Sequence, residues 1–302
     1  MTEVIMVPLV TTPTIRLGNL FPRQAVYGKC EFLAPSGCFK IRGALHLLEH
    51  LSRQGTTRHL VVPSMGNTAL GAATGAKAFG FSMTGVVPQT IALAKDEKLR
   101  ALGVELIKIA GGGSELLRCA TDIAKERGGY FVHPHLDPLW TDGYQPIASE
   151  VVAAMPDCRS LVFPVGGGGL LQGILAHLRN HPAPIRLFGC EPYNYPKYAR
   201  FEHARSSTIA DGLVLEKPHP QVQQAIAEAG ITMGLVEEAE IRAALKDLFE
   251  TEALVIEPSS AVTLAYIKRL GGEMEEPICA VLTGENIGRE DHRRLMSEAR
   301  DR

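Results

Sequence analysis

The chain has 302 residues, of which 45% are apolar and 21% charged, and its formal net charge at pH 7 is −2. This length and composition are typical of a globular protein with a substantial core and one or two domains. Because there is no basic excess and the apolar runs are short, we predict neither nucleic acid nor a membrane as a partner.

The cysteine, histidine and N-terminal patterns argue against disulfides, a metal site and export. The six cysteines are scattered without a C-x-x-C pair, which favours reduced thiols. The nearest histidine pair, His133-Pro134-His135, is interpreted first as a loop held by its proline and only second as a metal site. Met1-Thr2-Glu3-Val4 lacks the basic region of a signal peptide. We therefore predict a cytoplasmic protein without a resident metal.

Apolar strand-like runs alternate with helical patterns along nearly the whole chain. The predicted strands are Ala25–Cys30, His59–Pro63, Ser82–Val87, Glu105–Ile109, Tyr130–Val132, Ser160–Pro164, Ile185–Cys190 and Pro277–Leu282. The predicted helices are Ala44–Gln54, Thr68–Phe79, Ala92–Leu102, Ser114–Glu126, Ile147–Met155, Gly169–Leu178, Ala239–Glu250 and Ser259–Leu270. This alternation predicts an α/β fold with doubly wound parallel sheets, whose ligands bind beyond the carboxyl ends of the strands.

Lys40 follows a turn and precedes an apolar helical pattern. The turn is Pro35-Ser36-Gly37, so Lys40 is expected at a strand-to-helix junction rather than on a solvated face. Reactive amines occupy such places because desolvation lowers the pKa of an ammonium group and frees the nitrogen lone pair. Most lysines simply carry surface charge, so this interpretation depends on partner segments elsewhere in the chain.

Four glycines, Gly166, Gly167, Gly168 and Gly169, follow the predicted strand Ser160–Pro164 and open a helix. Consecutive glycines in this position let backbone N–H groups converge on an anion, and the helix N-terminus adds its dipole. The run is neither G-x-G-x-x-G with a downstream acid nor G-K-[ST], so a dinucleotide or a nucleoside triphosphate is disfavoured. We predict a phosphate-binding loop, with a simple tight turn as the alternative.

A third segment, Ser64-Met65-Gly66-Asn67-Thr68, joins strand His59–Pro63 to the next helix. Its backbone N–H groups and two hydroxyls suit a carboxylate bound at a helix start. From the residues alone, a simple helix cap is an equally good interpretation.

Together these three segments resemble the fold type II pyridoxal-phosphate enzymes, the tryptophan synthase β-like superfamily. Glu191-Pro192, the run from Thr208 to Leu213 and the run from Ile256 to Val262 are most similar to serine/threonine dehydratases. The resemblance implies the cofactor pyridoxal 5′-phosphate and a small amino-acid substrate.

The resemblance also implies an architecture of two open, doubly wound parallel-sheet domains with the cofactor between them. Residues 1–52 and 138–302 would form the large cofactor-binding domain, and residues 53–137 a small mobile one. Members of the family are commonly homodimers, so a homodimer is expected.

Individual roles follow from the resemblance. Lys40 would form the Schiff base with the cofactor and later remove the substrate Cα proton, with Phe39 against the cofactor ring. Asn67 would contact the cofactor 3′-oxygen, Gly166–Gly169 its phosphate, and Thr283 the pyridine nitrogen. The implied substrate-binding residues are Ser64, Met65, Gly66, Asn67, Thr68, Tyr144 and Gln145.

Three positions depart from the family pattern. Met65 stands where serine racemases carry an acid–base serine, which disfavours racemisation because a thioether cannot move a proton. Lys197 stands where some members bind a divalent cation, so an ammonium group is expected there and no magnesium requirement is predicted. Dehydratases usually have Gly-Gln-Gly-Thr where this chain has Gly143-Tyr144-Gln145-Pro146. Tyr144 and Gln145 are therefore expected to recognise a substrate side chain other than that of serine or threonine.

The predicted activity is that of a lyase acting on a small β-hydroxy amino acid. Lys40 would remove the Cα proton, the cofactor phosphate would protonate the departing hydroxyl, and the aminoacrylate would hydrolyse to a 2-oxo acid and ammonia. The Thr283 hydroxyl, a weak partner for a charged ring nitrogen, favours such elimination or replacement chemistry. One alternative is a β- or γ-replacement synthase similar to cysteine or threonine synthases. The others are a cofactor- or amino-acid-binding protein without turnover and a Rossmann-type nucleotide binder.

Overall fold

The computed structural model describes residues 11–64, 66–91, 93–179, 181, 184–200, 207–215 and 217–299. Met65, one of the predicted substrate-binding residues, lies outside the described residues.

The described residues form an alternating series of strands and helices. The strands are β1 (Thr14–Arg16), β2 (Val26–Cys30), β3 (His59–Pro63), β4 (Ser82–Pro88), β5 (Glu105–Ile109), β6 (Tyr130–Phe131), β7 (Ser160–Pro164), β8 (Arg186–Pro192), β9 (Thr232–Val236) and β10 (Ile278–Leu282). The helices are α1 (Lys40–Gln54), α2 (Asn67–Phe79), α3 (Leu93–Ala101), α4 (Gly113–Arg127), α5 (Pro138–Thr141), α6 (Gln145–Ala154), α7 (Gly169–Leu178), α8 (Pro220–Glu228), α9 (Glu238–Glu252), α10 (Pro258–Leu270) and α11 (Arg289–Ser297). Every predicted strand and helix is present, and β1, β9, α5, α8 and α11 are additional to the prediction.

Two compact units divide the described chain. The first, Ala34–Tyr144, is built on a four-stranded sheet of order β5-β4-β3-β6 in which all neighbouring strands are parallel. Helices α1 and α2 belong to this unit and pack through small residues. A Cβ atom built on Gly71 would lie 2.8 Å from the Lys40 carbonyl carbon, and one on Gly75 would lie 2.8 Å from Leu48 Cδ1. Glycine at these positions therefore lets the two helix backbones approach closely.

The bounds of this unit differ from the predicted domain bounds, which placed residues 1–52 and 138–302 in the large domain. Helix α1 and residues 138–144 lie instead in the unit of the four-stranded sheet. The physical reason is the close contact of α1 with α2 and with α5, since a Cβ atom on Gly43 would lie 2.6 Å from the Trp140 carbonyl oxygen. Which segments move together stays a prediction.

The second unit, residues 11–33 and 145–299, contains a six-stranded sheet of order β1-β2-β10-β7-β8-β9. Only β1 is antiparallel to its neighbour among the described strands. Strands β7 and β10 are buried along their whole length. Their largely apolar sequences are typical of central strands in parallel sheets that are covered on both faces.

Three loops leave the same edge of this sheet, because β10, β7 and β8 are adjacent and parallel. Thr283 follows β10, the glycine run follows β7, and Glu191-Pro192 ends β8. The fold thus gathers three predicted motifs at the carboxyl ends of neighbouring strands, where such sheets bind ligands. No helix in the described ranges combines the length and apolar character needed to cross a membrane.

Candidate active site

Lys40 is the first residue of α1, and its side chain is half-buried. The amine nitrogen Nζ lies 4.6 Å from the centre of the Phe39 ring and 5.6 Å from the centre of the Tyr144 ring. Aromatic ring faces at these distances attract an ammonium group. The predicted helix began at Ala44. In the structure the helix begins one turn earlier, which places Lys40 at its start.

Tyr144 supports this arrangement from a fully buried position. Its ring centre is 4.8 Å from that of Phe39, with the two planes inclined by 55°. Its hydroxyl accepts a hydrogen bond from the indole Nε1 of Trp140, whose side chain is also fully buried. Burial is the main reason why the pKa of Tyr144 is raised well above its ordinary value, so the phenol stays neutral.

Trp140 is a residue that the sequence interpretation missed, although it is the only tryptophan in the chain. Its four-residue spacing from Tyr144 is the signal that could have found it, since residues so spaced meet on one side of a helical segment. The segment is helical in the structure, as α5 followed by a short 3-10 turn over Asp142–Tyr144.

The predicted carboxylate loop lies in the same unit and contacts the segment before Lys40. Cys38 is fully buried, and its Sγ donates to the Asn67 carbonyl oxygen at 3.7 Å. Ser36 Oγ donates in turn to the Cys38 carbonyl oxygen at 3.1 Å. These bonds connect the turn that carries Lys40 to the start of α2.

Within the loop, Ser64 acts as a helix cap. Its Oγ accepts hydrogen bonds from the backbone N–H groups of Gly66, at 3.1 Å, and Ala69, at 3.2 Å. The Thr68 side chain is buried against the helix start. The cap interpretation is therefore correct for Ser64, and it leaves the Ser64 hydroxyl proton available for donation to a ligand oxygen.

Lys95, in α3, is a second residue that sequence reasoning missed. A Cβ atom built on Gly66 would lie 3.1 Å from Lys95 Nζ and 3.4 Å from its Cε, so the ammonium group lies directly over this glycine. No local pattern reveals the contact, because it depends on how α3 packs beside the loop.

In the second unit, the glycine run forms a tight turn into α7. Gly168 is the N-cap and has φ of +88°, a left-handed conformation that favours glycine. A Cβ atom on Gly166 would lie 3.2 Å from the Gly212 carbonyl oxygen, a tight contact that leaves little room for a side chain. The first turn of α7 contains no acidic residue. No carboxylate of that turn therefore competes with a bound anion for the N–H groups and the dipole at the helix N-terminus.

The side chains and backbone present fit pyridoxal phosphate. A lysine amine lies against aromatic rings in one unit, and a glycine cradle at a helix N-terminus lies in the other. Thr283, buried directly after β10, supplies a hydroxyl beyond the strand next to the one that leads into the glycine turn. Gln145, the first residue of α6, is half-buried and belongs to the second unit, whereas its neighbour Tyr144 belongs to the first.

Lys197, predicted to replace a divalent cation, is buried beside Glu191. Its Nζ lies 3.4 Å from Glu191 Oε1 and donates to the Tyr195 carbonyl oxygen at 3.1 Å. The other carboxylate oxygen accepts the backbone N–H groups of Lys197, Tyr198 and Ala199 at 3.0–3.2 Å. Burial lowers the pKa of Lys197, and the adjacent Glu191 opposes that shift.

The other predicted metal alternative concerned the pair His133 and His135. His133 Nδ1 accepts the backbone N–H groups of His135 and Leu136, which makes this histidine a loop cap. Within the described ranges, no group of three or more His, Cys, Asp or Glu side chains is arranged to hold a metal ion.

Comparison with known proteins gives consistent matches over most of the chain. Residues 6–284 match the family described as pyridoxal-phosphate dependent enzyme. An L-threonine ammonia-lyase of Geobacter sulfurreducens is 33% identical over 271 residues, which cover 87% of this chain and 67% of the relative. A catabolic L-threonine dehydratase of Staphylococcus aureus is 30% identical, and the match covers 91% of this chain and 84% of that protein. The solved structure of a processed threonine deaminase from Solanum lycopersicum has the same fold, with a TM-score of 0.87 and 24% identity over 97% of this chain and 85% of that one.

We expect Gly168→Ala to weaken cofactor binding. The new Cβ would lie 2.5 Å from Val222 Cγ1, and the left-handed backbone conformation costs a non-glycine residue about 1–2 kcal/mol. Titration of the apoprotein with pyridoxal phosphate, followed by visible absorbance, should give a Kd raised by about tenfold. Gly272→Ala is the matched control, since its Cβ meets no heavy atom within 4 Å. Equal cofactor affinity in both variants would show that the glycine turn is not the cradle.

We expect Tyr144→Phe to destabilise the first unit by about 1–3 kcal/mol, because the buried indole N–H of Trp140 loses its acceptor. Denaturant unfolding followed by tryptophan fluorescence measures this directly, since Trp140 is the only tryptophan. Tyr27→Phe, at a half-buried position on β2, serves as the control and should change stability by less than about 0.5 kcal/mol. Unchanged stability in Tyr144→Phe would contradict the importance of this hydrogen bond.

We expect added magnesium to leave the rate of the wild-type enzyme unchanged, because the Lys197 ammonium already faces Glu191. Lys197→Met should cost about 3–5 kcal/mol of stability, since it leaves a buried carboxylate without its cation. Lys268→Met removes a more exposed partner of Asp247 and should cost less than about 1 kcal/mol. A reproducible large gain in wild-type rate with magnesium would overturn this assignment.

Proposed function

Because the chain belongs to the family of pyridoxal-phosphate-dependent enzymes, we propose that it is an ammonia-lyase acting on a small β-hydroxy amino acid. The products are a 2-oxo acid and ammonia. The observation that carries the proposal is the position of Lys40, whose amine lies against two aromatic rings at the start of a helix in contact with α2. The relatives named as L-threonine ammonia-lyase and L-threonine dehydratase support this reaction class.

Three predictions from the sequence are confirmed: the pyridoxal-phosphate family, its cofactor, and the α/β fold class with parallel sheets. The cytoplasmic location, the homodimer and the identity of the substrate stay predictions. Threonine and serine are the substrates to test first.

The chain carries a candidate contact for each part of the cofactor. Lys40 would bind its aldehyde carbon, with Phe39 against the ring and Asn67 at the 3′-oxygen. The four glycines from Gly166 to Gly169 would bind the phosphate, and Thr283 would face the ring nitrogen. When bound, the cofactor supplies an electron sink for the bond broken at the substrate Cα.

The chain's own groups account for the remaining chemistry. Lys40 Nζ removes the proton from Cα, and the ring faces of Phe39 and Tyr144 stabilise the resulting ammonium charge. The β-hydroxyl would leave as water with a proton from the phosphate of the bound cofactor, and hydrolysis of the enamine product would give the oxo acid and ammonia. The buried, neutral phenol of Tyr144 holds Phe39 in place and moves no proton itself.

Thr283 also bears on the choice between reactions. A threonine hydroxyl can donate a hydrogen bond to the ring nitrogen, but it does not hold a positive charge there as a carboxylate would. Such a partner favours rapid loss of a β-substituent, because it does little to stabilise a long-lived charge on the cofactor ring. Racemisation is disfavoured separately, because the sequence carries Met65 where an acid–base serine would be required.

We expect Lys40→Ala to abolish both the visible absorbance band of the bound cofactor and the release of oxo acid. The loss of rate should be at least about 10²-fold, since the general base is removed together with the cofactor attachment. The assay supplies serine, threonine and their O-acetyl and O-phospho esters, and it measures oxo acid and ammonia. Lys77→Ala, at an exposed position on α2, is the control and should behave as wild type.

The same assay distinguishes the alternatives when sulfide is added. Oxo acid formed without sulfide supports the lyase. Product formed only in the presence of sulfide would instead identify a replacement synthase. A cofactor band with no product from any amino acid would identify a binding protein without turnover.

A further inference from the structure

The first glycine of the turn before α7 is covered on one side by a separate loop of the second unit. This loop contains the short 3-10 turn Asp211–Leu213. A Cβ atom on Gly166 would lie 3.2 Å from the Gly212 carbonyl oxygen and 3.4 Å from Leu213 Cα. Gly166 and Gly212 both keep part of their surface exposed, so a ligand can reach the place where they meet. Because the contacts are with backbone atoms, the position of the loop limits where the glycine turn can lie.

Gly212 is held in turn by Ser259, in the first turn of α10. The backbone N–H of Gly212 donates a hydrogen bond to Ser259 Oγ at 2.9 Å, between residues 47 positions apart in the chain. The Ser259 side chain is buried. A Cβ atom on Gly212 would lie 2.8 Å from the same oxygen, so the hydroxyl lies directly against this residue. Ser259 therefore fixes the part of the loop that lies against Gly166.

A second hydrogen bond of this loop lies further from the glycine turn. The backbone N–H of Ile209 donates to Glu238 Oε2, in the first turn of α9, at 2.9 Å. Glu238 thus anchors the loop upstream, whereas Ser259 anchors it at Gly212. Loss of the Ser259 bond should loosen the loop mainly where it contacts Gly166.

The start of α10 also holds the loop that follows β10. The backbone N–H of Glu257 donates to the Gly284 carbonyl oxygen at 2.9 Å. Gly284 directly follows Thr283, the predicted partner of the ring nitrogen. One helix start therefore contacts both the loop beside the glycine turn and the loop that carries Thr283. The separation of these two loops is set by α10.

We propose that Ser259 is a positioning residue for the phosphate group of the cofactor, because it holds Gly212 against Gly166 and so keeps the glycine turn in the form that binds phosphate. Backbone donors that are already fixed bind an anion more tightly, since less freedom is lost on binding. This inference rests on the cofactor contact proposed for Gly166–Gly169. Ser259 acts through Gly212 and needs no contact with the ligand.

The test compares pyridoxal 5′-phosphate with pyridoxal, which lacks only the phosphate. The full-length apoprotein is titrated with each compound, and visible absorbance reports binding. Ser259→Ala should raise the Kd for pyridoxal phosphate by about tenfold, the size expected for one lost hydrogen bond. Its Kd for pyridoxal should stay within about twofold of the wild-type value. Ser259→Thr, which keeps a hydroxyl, should retain most of the affinity for pyridoxal phosphate.

Gly212→Ala tests the same contact from the other side. Its Cβ atom would lie 2.8 Å from Ser259 Oγ and would push the loop away from α10. This variant should therefore also lose affinity for pyridoxal phosphate and keep its affinity for pyridoxal.

Thr263→Val is the matched control in the same helix. The Thr263 side chain is fully buried, and its hydroxyl donates to the Ser260 carbonyl oxygen at 2.9 Å. The substitution removes a buried hydrogen bond of α10 that does not involve Gly212. It should leave the ratio of the two Kd values unchanged.

The outcomes separate this inference from the assignments on which it rests. Equal losses for both compounds in Ser259→Ala would overturn it, since they would indicate a general change in the fold. Unchanged affinity for pyridoxal phosphate in Ser259→Ala would also overturn it when Gly168→Ala does weaken binding. If neither variant weakens binding, the glycine turn does not hold the phosphate and the role of Ser259 fails with it. A selective loss in Ser259→Ala would support the inference even if the wild-type enzyme releases no oxo acid from any amino acid, a result that would contradict only the proposed function.

Discussion

Helix α2 crosses the first turn of α1 so closely that only glycine fits at residue 71. A Cβ atom there would lie 2.8 Å from both the carbonyl carbon and the Cβ of Lys40. Next to this crossing, Cys38 Sγ reaches the Asn67 carbonyl oxygen at 3.7 Å. The backbone of Lys40 and the loop that suits a carboxylate are thus held together in a closely packed interior, which leaves little freedom to change their separation. Their distance is set by the fold rather than by the rotamer of one side chain.

The starts of α7 and α2, both predicted to bind anions, present positive charge by different means. In the second unit, a left-handed turn at Gly168 presents backbone N–H groups at the start of α7. In the first unit, the start of α2 is joined by the flexible side chain of Lys95. Rigid backbone donors suit a group that stays bound, such as a cofactor phosphate.

Local sequence patterns predicted the glycine turn before α7 and the start of α2, because glycine turns and helix starts are encoded by neighbouring residues. They did not predict β9, whose sequence includes Gly234. That glycine is required by a distant contact, since a Cβ atom on it would lie 2.0 Å from Tyr266 Cε2. Isolated glycine weakens a strand pattern and so hides the strand. The unit to which α1 belongs, and the position of Lys95 over Gly66, were hidden for the same reason: both depend on packing between segments far apart in the sequence.

Tyr144 departs from the family pattern, and the structure gives it a packing role in addition to the predicted substrate-binding role. The side chain is fully buried, its ring lies against Phe39 and Lys40 Nζ, and its hydroxyl is bound by Trp140. A side chain so enclosed acts first on the residues that surround the amine. Lys40, its aromatic neighbours, Ser64 and Thr68 all belong to one compact unit, so the predicted general base and the predicted carboxylate loop share one frame. Substitutions around Trp140 would therefore alter the environment of the amine.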